Sequence, residues 1–167
     1  MTGGGAVGAS GVVGPVEVDE SALRSWAAEV GRASVHGGLF VCLHGPLGAG
    51  KSTFVRAACR GAGARGPIPS PTFTLVNRHA TSRGRSIWHA DLYRLDAPDL
   101  LVDVGWPELV DSGDPVFVEW AERAEGWLPP DRWEVRLSFG SQPALRIVEI
   151  VSIGSAPRAP GPESVPC

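Results

Sequence analysis

Lysine is almost missing from this chain of 167 residues: Lys51 is the only one, and the other cations are arginine. That scarcity excludes a guanine site of the common N-K-x-D type, because the single asparagine, Asn77, is followed by Arg78. The LSGGQ signature of transporter-type ATPases is also missing. The three cysteines, Cys42, Cys59 and Cys167, contain no C-x-x-C pair, and an odd count supports no disulfide framework. No apolar run approaches the roughly 20 residues of a membrane span. The N-terminus has no charged segment followed by an apolar one, so a soluble, cytoplasmic protein without membrane contact is expected. A net charge of -3 argues against coating nucleic acid by bulk electrostatics. Arg78, Arg83 and Arg85 gather near one turn, where a solvated hairpin tip is the simpler reading.

The one lysine lies in GPLGAGKST, residues 45–53. Gly45, Gly50, Lys51 and Ser52 fit G-x-x-x-x-G-K-[ST], the loop that cradles nucleotide phosphates. A compact ammonium on a thin stem suits that position better than a planar guanidinium. The apolar run 39–43 before it predicts a strand buried on both faces. Residues 52–59 after it have helical spacing, with stop signals at Gly61 and Gly63. Backbone N–H groups of Gly48, Ala49, Gly50, Lys51, Ser52 and Thr53 are expected to face phosphate, helped by the helix terminus. The Ser52 hydroxyl is expected on magnesium. The motif in this context predicts a nucleoside triphosphate site.

The rest of the chain predicts one domain, residues 15–153, between a disordered N-terminal extension (1–14) and a disordered tail (154–167). Residues 16–18 suit a first strand. Asp19 then caps a helix carrying Leu23, Trp26, Ala27 and Val30 on one face. The Gly/Pro-rich stretch 61–71 is long for a connector and is a candidate moving segment. Strands are expected at 72–78, 86–91 and 115–119, with a short helical stretch at 98–104. Alternation from Trp133 to Phe139 and again from 145 to 153 predicts a closing antiparallel hairpin. One phosphate-loop helix among many strands implies an α/β fold with a mixed sheet flanked by helices.

Two strands end in carboxylates, Asp91 and Glu119. Ligands of parallel α/β sheets gather at the carboxyl ends of strands, where the loop must also lie. Both residues are therefore candidates for the metal and for the attacking water. Asp91 as a turn cap and Glu119 as a surface partner of Arg123 are the plainer alternatives. Thr72 follows Ser70-Pro71, and its hydroxyl either senses a γ-phosphate or makes a turn hydrogen bond. His44 and His89 flank the site without metal spacing and read as packed or capping histidines.

GPLGAGKST, SPTFTLVNRH (70–79), HADLYRL (89–95) and VEWAE (118–122) together resemble the TsaE family, also called YjeE. Members are small bacterial ATPases needed for the threonylcarbamoyladenosine modification of tRNA. The resemblance spans roughly residues 16–151 and implies a P-loop NTPase fold that binds ATP and Mg2+. It also implies slow hydrolysis stimulated by a TsaB–TsaD complex that modifies adenosine thirty-seven, with tRNA met indirectly through that complex. Carried over by motif, Lys51 and the loop bind phosphates, and Ser52, Asp91 and Glu119 serve the metal. Lys51, Asp91, Glu119 and the switch residue Thr72 serve hydrolysis. Trp120 lies beside the nucleotide, and the start of the first helix, around Glu20, is placed at one edge of it. Pro46 departs from the acidic residue frequent there. A small-molecule kinase and a nucleotide-dependent binding module with no meaningful turnover are the alternatives.

Overall fold

The computed structural model describes residues 11–71 and 73–162. Seven strands form one sheet: β1 (Val12–Val18), β2 (Phe40–His44), β3 (Val76–Ala80), β4 (Ser86–Asp91), β5 (Val116–Glu119), β6 (Arg132–Phe139) and β7 (Arg146–Ile153). Their spatial order is β1-β7-β6-β2-β5-β4-β3. The four middle strands, β6, β2, β5 and β4, run parallel; β3 adds antiparallel at one edge, and β7 and β1 at the other. The mixed sheet and closing β6–β7 hairpin are as the sequence implies.

Residue parity divides the core. Val41, Leu43, Phe117, Trp133 and Val135 face α1 (Glu20–Ser34) and α2 (Lys51–Gly61), while Phe40, Cys42, Val116 and Val118 pack on the side of α3 (Trp106–Asp111). β2 is apolar at four successive positions because both its faces are covered. Burial pushes the Cys59 thiol up to about 12 and the Cys42 thiol higher still, so both are inert core residues. At the head of α1, Asp19 Oδ1 accepts from the Ala22 amide at 2.8 Å. Leu23, Trp26, Ala27 and Val30 line the buried face of that helix. No helix of the described residues is long and apolar enough to cross a membrane.

Three expectations are corrected. The third strand, expected over 72–78, runs over Val76–Ala80, because Leu75 is left-handed (φ 62°) and breaks the extended run; residue 72 lies outside the described residues. Short 3₁₀ turns occupy Pro98–Leu101 and Ala121–Ala124, and α3 follows at Trp106, where left-handed Gly105 starts it and a proline occupies its first turn. The ends of the fold also reach further than composition suggests. Val12 and Val13 pair with Val151 and Ile150, giving the outer edge of β7 its partner.

The chain after β7 turns back over the sheet. Trp26 Nε1 donates to the Pro160 carbonyl and Trp133 Nε1 to that of Pro157, both at 2.7 Å. Buried indoles need acceptors, and the tail supplies two. Ala159, only 3% exposed, joins the core. Truncation after Ile153 is expected to destabilise the protein by about 2 kcal/mol, because two buried donors lose their partners. Thermal melting should show this as a fall of roughly 4–8 °C; an unchanged midpoint would mean that the strap contributes nothing.

Candidate functional site

β2 ends at His44, and the chain then turns through residues 45–50 into α2. Gly50 starts that helix in a left-handed conformation (φ 103°), with no side-chain cap on its first turn. The first-turn amides of a helix have no intrahelical partner and carry the positive end of its dipole. Gly48 is left-handed as well (φ 80°), and a Cβ built on it would meet nothing within 4 Å, so open space lies over the loop. The Ala49 amide donates to the Pro46 carbonyl at 3.1 Å, which folds the loop back on itself.

Lys51 curls back on the same loop. Its Nζ donates to the carbonyls of Gly45 (2.5 Å) and Pro46 (2.8 Å) and sits 4.0 Å from the centre of the Trp120 ring. Only 5% of the residue is exposed. Burial pulls its pKa down, and Glu119, Glu122 and Asp91 oppose that shift. Trp120 holds this position with left-handed backbone (φ 56°, ψ 43°), a conformation costing a non-glycine residue about 1–3 kcal/mol, of the sort that clusters at functional sites. Tyr93 packs against its ring at 5.0 Å.

Glu119 and Asp91 end neighbouring parallel strands and are register partners. Glu119 is 2% exposed; its Oε2 accepts from Ser52 Oγ and its Oε1 lies against His89 Nε2, each at 2.9 Å. The surface-pair reading of Glu119 fails, since Arg123 donates instead to the Leu95 carbonyl. Asp91 does cap a turn, accepting from the Tyr93 amide at 3.1 Å, but it also faces the cleft. That cleft, about 360 Å³, is lined by Gly48, Gly50, Lys51, Ser52, Thr53, Asp91, Glu119 and Trp120 among others. Thr72 lies outside the described residues.

Across the loop is a second cavity of about 470 Å³, walled by Asp19, Glu20, Leu23, Gly48, Gly50, Thr53 and Arg146 among others. Glu20 thus borders the loop, with its carboxylate held by Arg24 at 2.6 Å. Arg146 reaches from β7 to the Gly48 carbonyl at 3.2 Å, and nothing in its sequence context marks it. His89, a packing or capping residue by sequence, shares one face of β4 with Asp91, as their parity requires.

The family model described as "TsaE: Threonylcarbamoyl adenosine biosynthesis protein TsaE" matches residues 18–146. The chain belongs to the TsaE family. Among proteins named "tRNA threonylcarbamoyladenosine biosynthesis protein TsaE", that of Haemophilus influenzae is 40% identical over 91 residues, covering 54% of this chain and 57% of the relative. That of Aquifex aeolicus is 44% identical over 85 residues, covering 50% and 58%. That of Treponema pallidum is 39% identical over 105 residues, covering 62% and 75%. The matched part of the chain thus spans less than two thirds of the first two relatives. The solved structure described as "Crystal structure of Bacillus subtilus YdiB" superposes with a TM-score of 0.67, at 23% identity, over 83% of this chain and 86% of that one. The fold is that of a P-loop NTPase.

The TsaE match starts at Val18 and stops at Arg146, so most of β1, most of β7 and the strap lie outside it. Within it, His44 ties the loop to its surroundings, with Nε2 2.9 Å from Glu134 and Nδ1 3.2 Å from Glu122. The neighbouring Glu134 carboxylate raises the His44 pKa above 6.5, with burial working against it; His44 in turn holds Glu134 down at about 2, from 4.5. The histidine's contribution to stability is complete below about 6.5 and is lost as pH climbs through its raised value. The glutamate's contribution is complete above 4.5 and is lost as pH falls towards about 2. Thermal melts of wild type and Glu134→Gln should therefore differ most between about pH 4.5 and 6.5, narrow above that window to the share that Arg132 supplies through its 2.7 Å bond to Glu134, and converge towards pH 2. A difference independent of pH would overturn the assignment.

Proposed function

We propose that this protein binds ATP with Mg2+ and hydrolyses it as the ATPase of tRNA threonylcarbamoyladenosine synthesis, at a low rate on its own. The observation that carries the reading is the convergence of Lys51, Ser52, Asp91 and Glu119 on the cleft at the loop. Among the described residues no three His, Cys, Asp or Glu side chains could hold a metal alone. The donors present are one hydroxyl and two carboxylates, hard oxygens that suit Mg2+ when phosphate oxygens complete its shell. Ser52, Asp91 and Glu119 would hold the ion, which supplies neutralisation of phosphate charge.

The remaining roles belong to the chain. The first-turn amides of α2 and the Lys51 ammonium bind phosphate oxygens, for which Nζ exchanges the Gly45 and Pro46 carbonyls. Glu119 orients the attacking water, Asp91 supports the metal side, and Thr72 acts as the switch hydroxyl. The cavity beside Glu20 has room for the nucleoside, and Trp120 closes over the lysine. A lysine already satisfied by its own loop and covered by a strained tryptophan supports a slow resting enzyme that a partner accelerates. That partner is the TsaB–TsaD complex, through which tRNA is met.

The test measures ADP and phosphate release with and without TsaB–TsaD, and includes Lys51→Ala. Stimulated release is expected, with nucleotide affinity in Lys51→Ala lower by roughly 10- to 100-fold, the worth of a charged hydrogen-bonding group. Transfer of phosphate to a small acceptor without free phosphate would establish the kinase instead. Wild-type tRNA modification by a variant that binds but does not hydrolyse ATP would make the protein a binding module.

A further inference from the structure

His89 is fully buried, yet among the described residues its Nδ1 has no hydrogen-bond partner. A buried polar atom without a partner is unfavourable, and a leucine or phenylalanine would fill the site without it. Among the described residues the imidazole's one hydrogen-bond contact is through Nε2, 2.9 Å from Glu119 Oε1. The tautomer with its proton on Nε2 makes this contact a donation to the carboxylate oxygen and leaves Nδ1 as the atom without a partner.

We infer that His89 is the positioning residue of Glu119: its Nε2–H anchors Oε1 and thereby leaves Oε2 as the oxygen presented to Ser52 and the cleft. The inference rests on the reading that Glu119 serves hydrolysis. β4 and β5 are parallel, with His89 opposite Phe117 and Asp91 opposite Glu119. His89 therefore lies one strand over and one side-chain level below the carboxylate, between the apolar Ile87–Phe117 layer and the polar mouth. The terminal torsion of a glutamate is broad, so one contact does not fix its carboxylate plane. Ser52 is a poor second anchor, because its hydroxyl rotates and is the group assigned to the metal. A ring packed into the sheet does not rotate in that way. Without it, Oε1 would be a buried, unpaired oxygen, and the side chain would turn.

The experiment compares wild type with His89→Leu, His89→Asn and His89→Gln in steady-state ATP hydrolysis, with ADP affinity measured by calorimetry. His89→Leu is expected to lower kcat by roughly 10- to 100-fold, the usual effect of removing an outer hydrogen-bond partner, with KM and ADP affinity little changed. His89→Asn should match it, since its amide nitrogen takes the place of Nδ1 and falls short of Glu119. His89→Gln places an N–H near Nε2 and should restore most of kcat. A core role alone would make Leu and Gln equally impaired, and that result, or an unchanged kcat in His89→Leu, overturns the inference. So does a rise in KM with kcat intact. Imidazole proton NMR of the nucleotide-free protein decides the contact independently. A downfield Nε2–H signal should vanish in His89→Leu and move in Glu119→Gln; an absent or unmoved signal overturns the anchor. Should wild type prove unable to hydrolyse ATP, the proposed function fails, and the NMR arm still decides whether His89 holds Glu119.

Discussion

Glu119→Gln is expected to lower the rate of ATP hydrolysis by on the order of 10²–10³-fold while leaving nucleotide binding nearly intact. The amide is isosteric, and its oxygen can still accept from one of the two neighbours, Ser52 and His89. What disappears is the negative charge at the end of β5, the group available to orient or deprotonate water. The phosphate-binding amides and Lys51 are separate from that change. Replacing a buried carboxylate by a neutral amide also removes a desolvation penalty, so the melting temperature should hold steady or rise. Single-turnover hydrolysis, nucleotide affinity and a thermal melt on one preparation check all three parts. A rate within threefold of wild type would remove Glu119 from the hydrolytic machinery.

The second large effect concerns the scaffold. Gly31→Ala is expected to destabilise the protein by about 3 kcal/mol, a fall of roughly 6–12 °C in melting temperature. A Cβ on Gly31 would lie 1.9 Å from the Ala58 carbonyl oxygen, and one on Gly61 would lie 2.0 Å from that of Ala28. The two helices thus touch backbone to backbone, and at each contact a glycine of one helix faces a carbonyl of the other. Backbone cannot swing aside as a side chain does. Alanine's better helix propensity, about 1 kcal/mol, is outweighed because α1 must shift bodily away from α2. α2 begins with Lys51 and Ser52, so nucleotide affinity should fall with stability. Gly37→Ala is the control: its Cβ would meet only Leu39, at 3.9 Å. If both variants melt like wild type, the close crossing is not a constraint.

Legibility followed the range of the interaction. The phosphate loop is a local motif whose strand, glycines and helix lie within 22 residues, Phe40–Gly61. The β6–β7 hairpin was equally readable, because alternation and a turn suffice for it. α3 is not legible in the sequence, although Gly105 and Pro107 mark its start, since a six-residue helix shows too little periodicity. The strap is not legible either, because proline-rich composition says nothing of the two indoles that its carbonyls meet.

By itself the sequence determined that a phosphate-binding loop is present, that Asp91 and Glu119 end strands, and which family the chain resembles. Those are facts of residue type and near spacing, and local backbone preference carries them. Only the tertiary structure decided which groups meet. It buried Glu119 between Ser52 and His89, laid Trp120 on Lys51, committed the Ala49 amide to Pro46, and brought Arg146 to Gly48. Each meeting depends on strand order, and β5 comes beside β2 and β4 only after long crossovers that periodicity cannot specify. Burial then changes what the residues are: a glutamate that sequence alone allowed to be a surface charge becomes a fixed acceptor in the floor of the cleft.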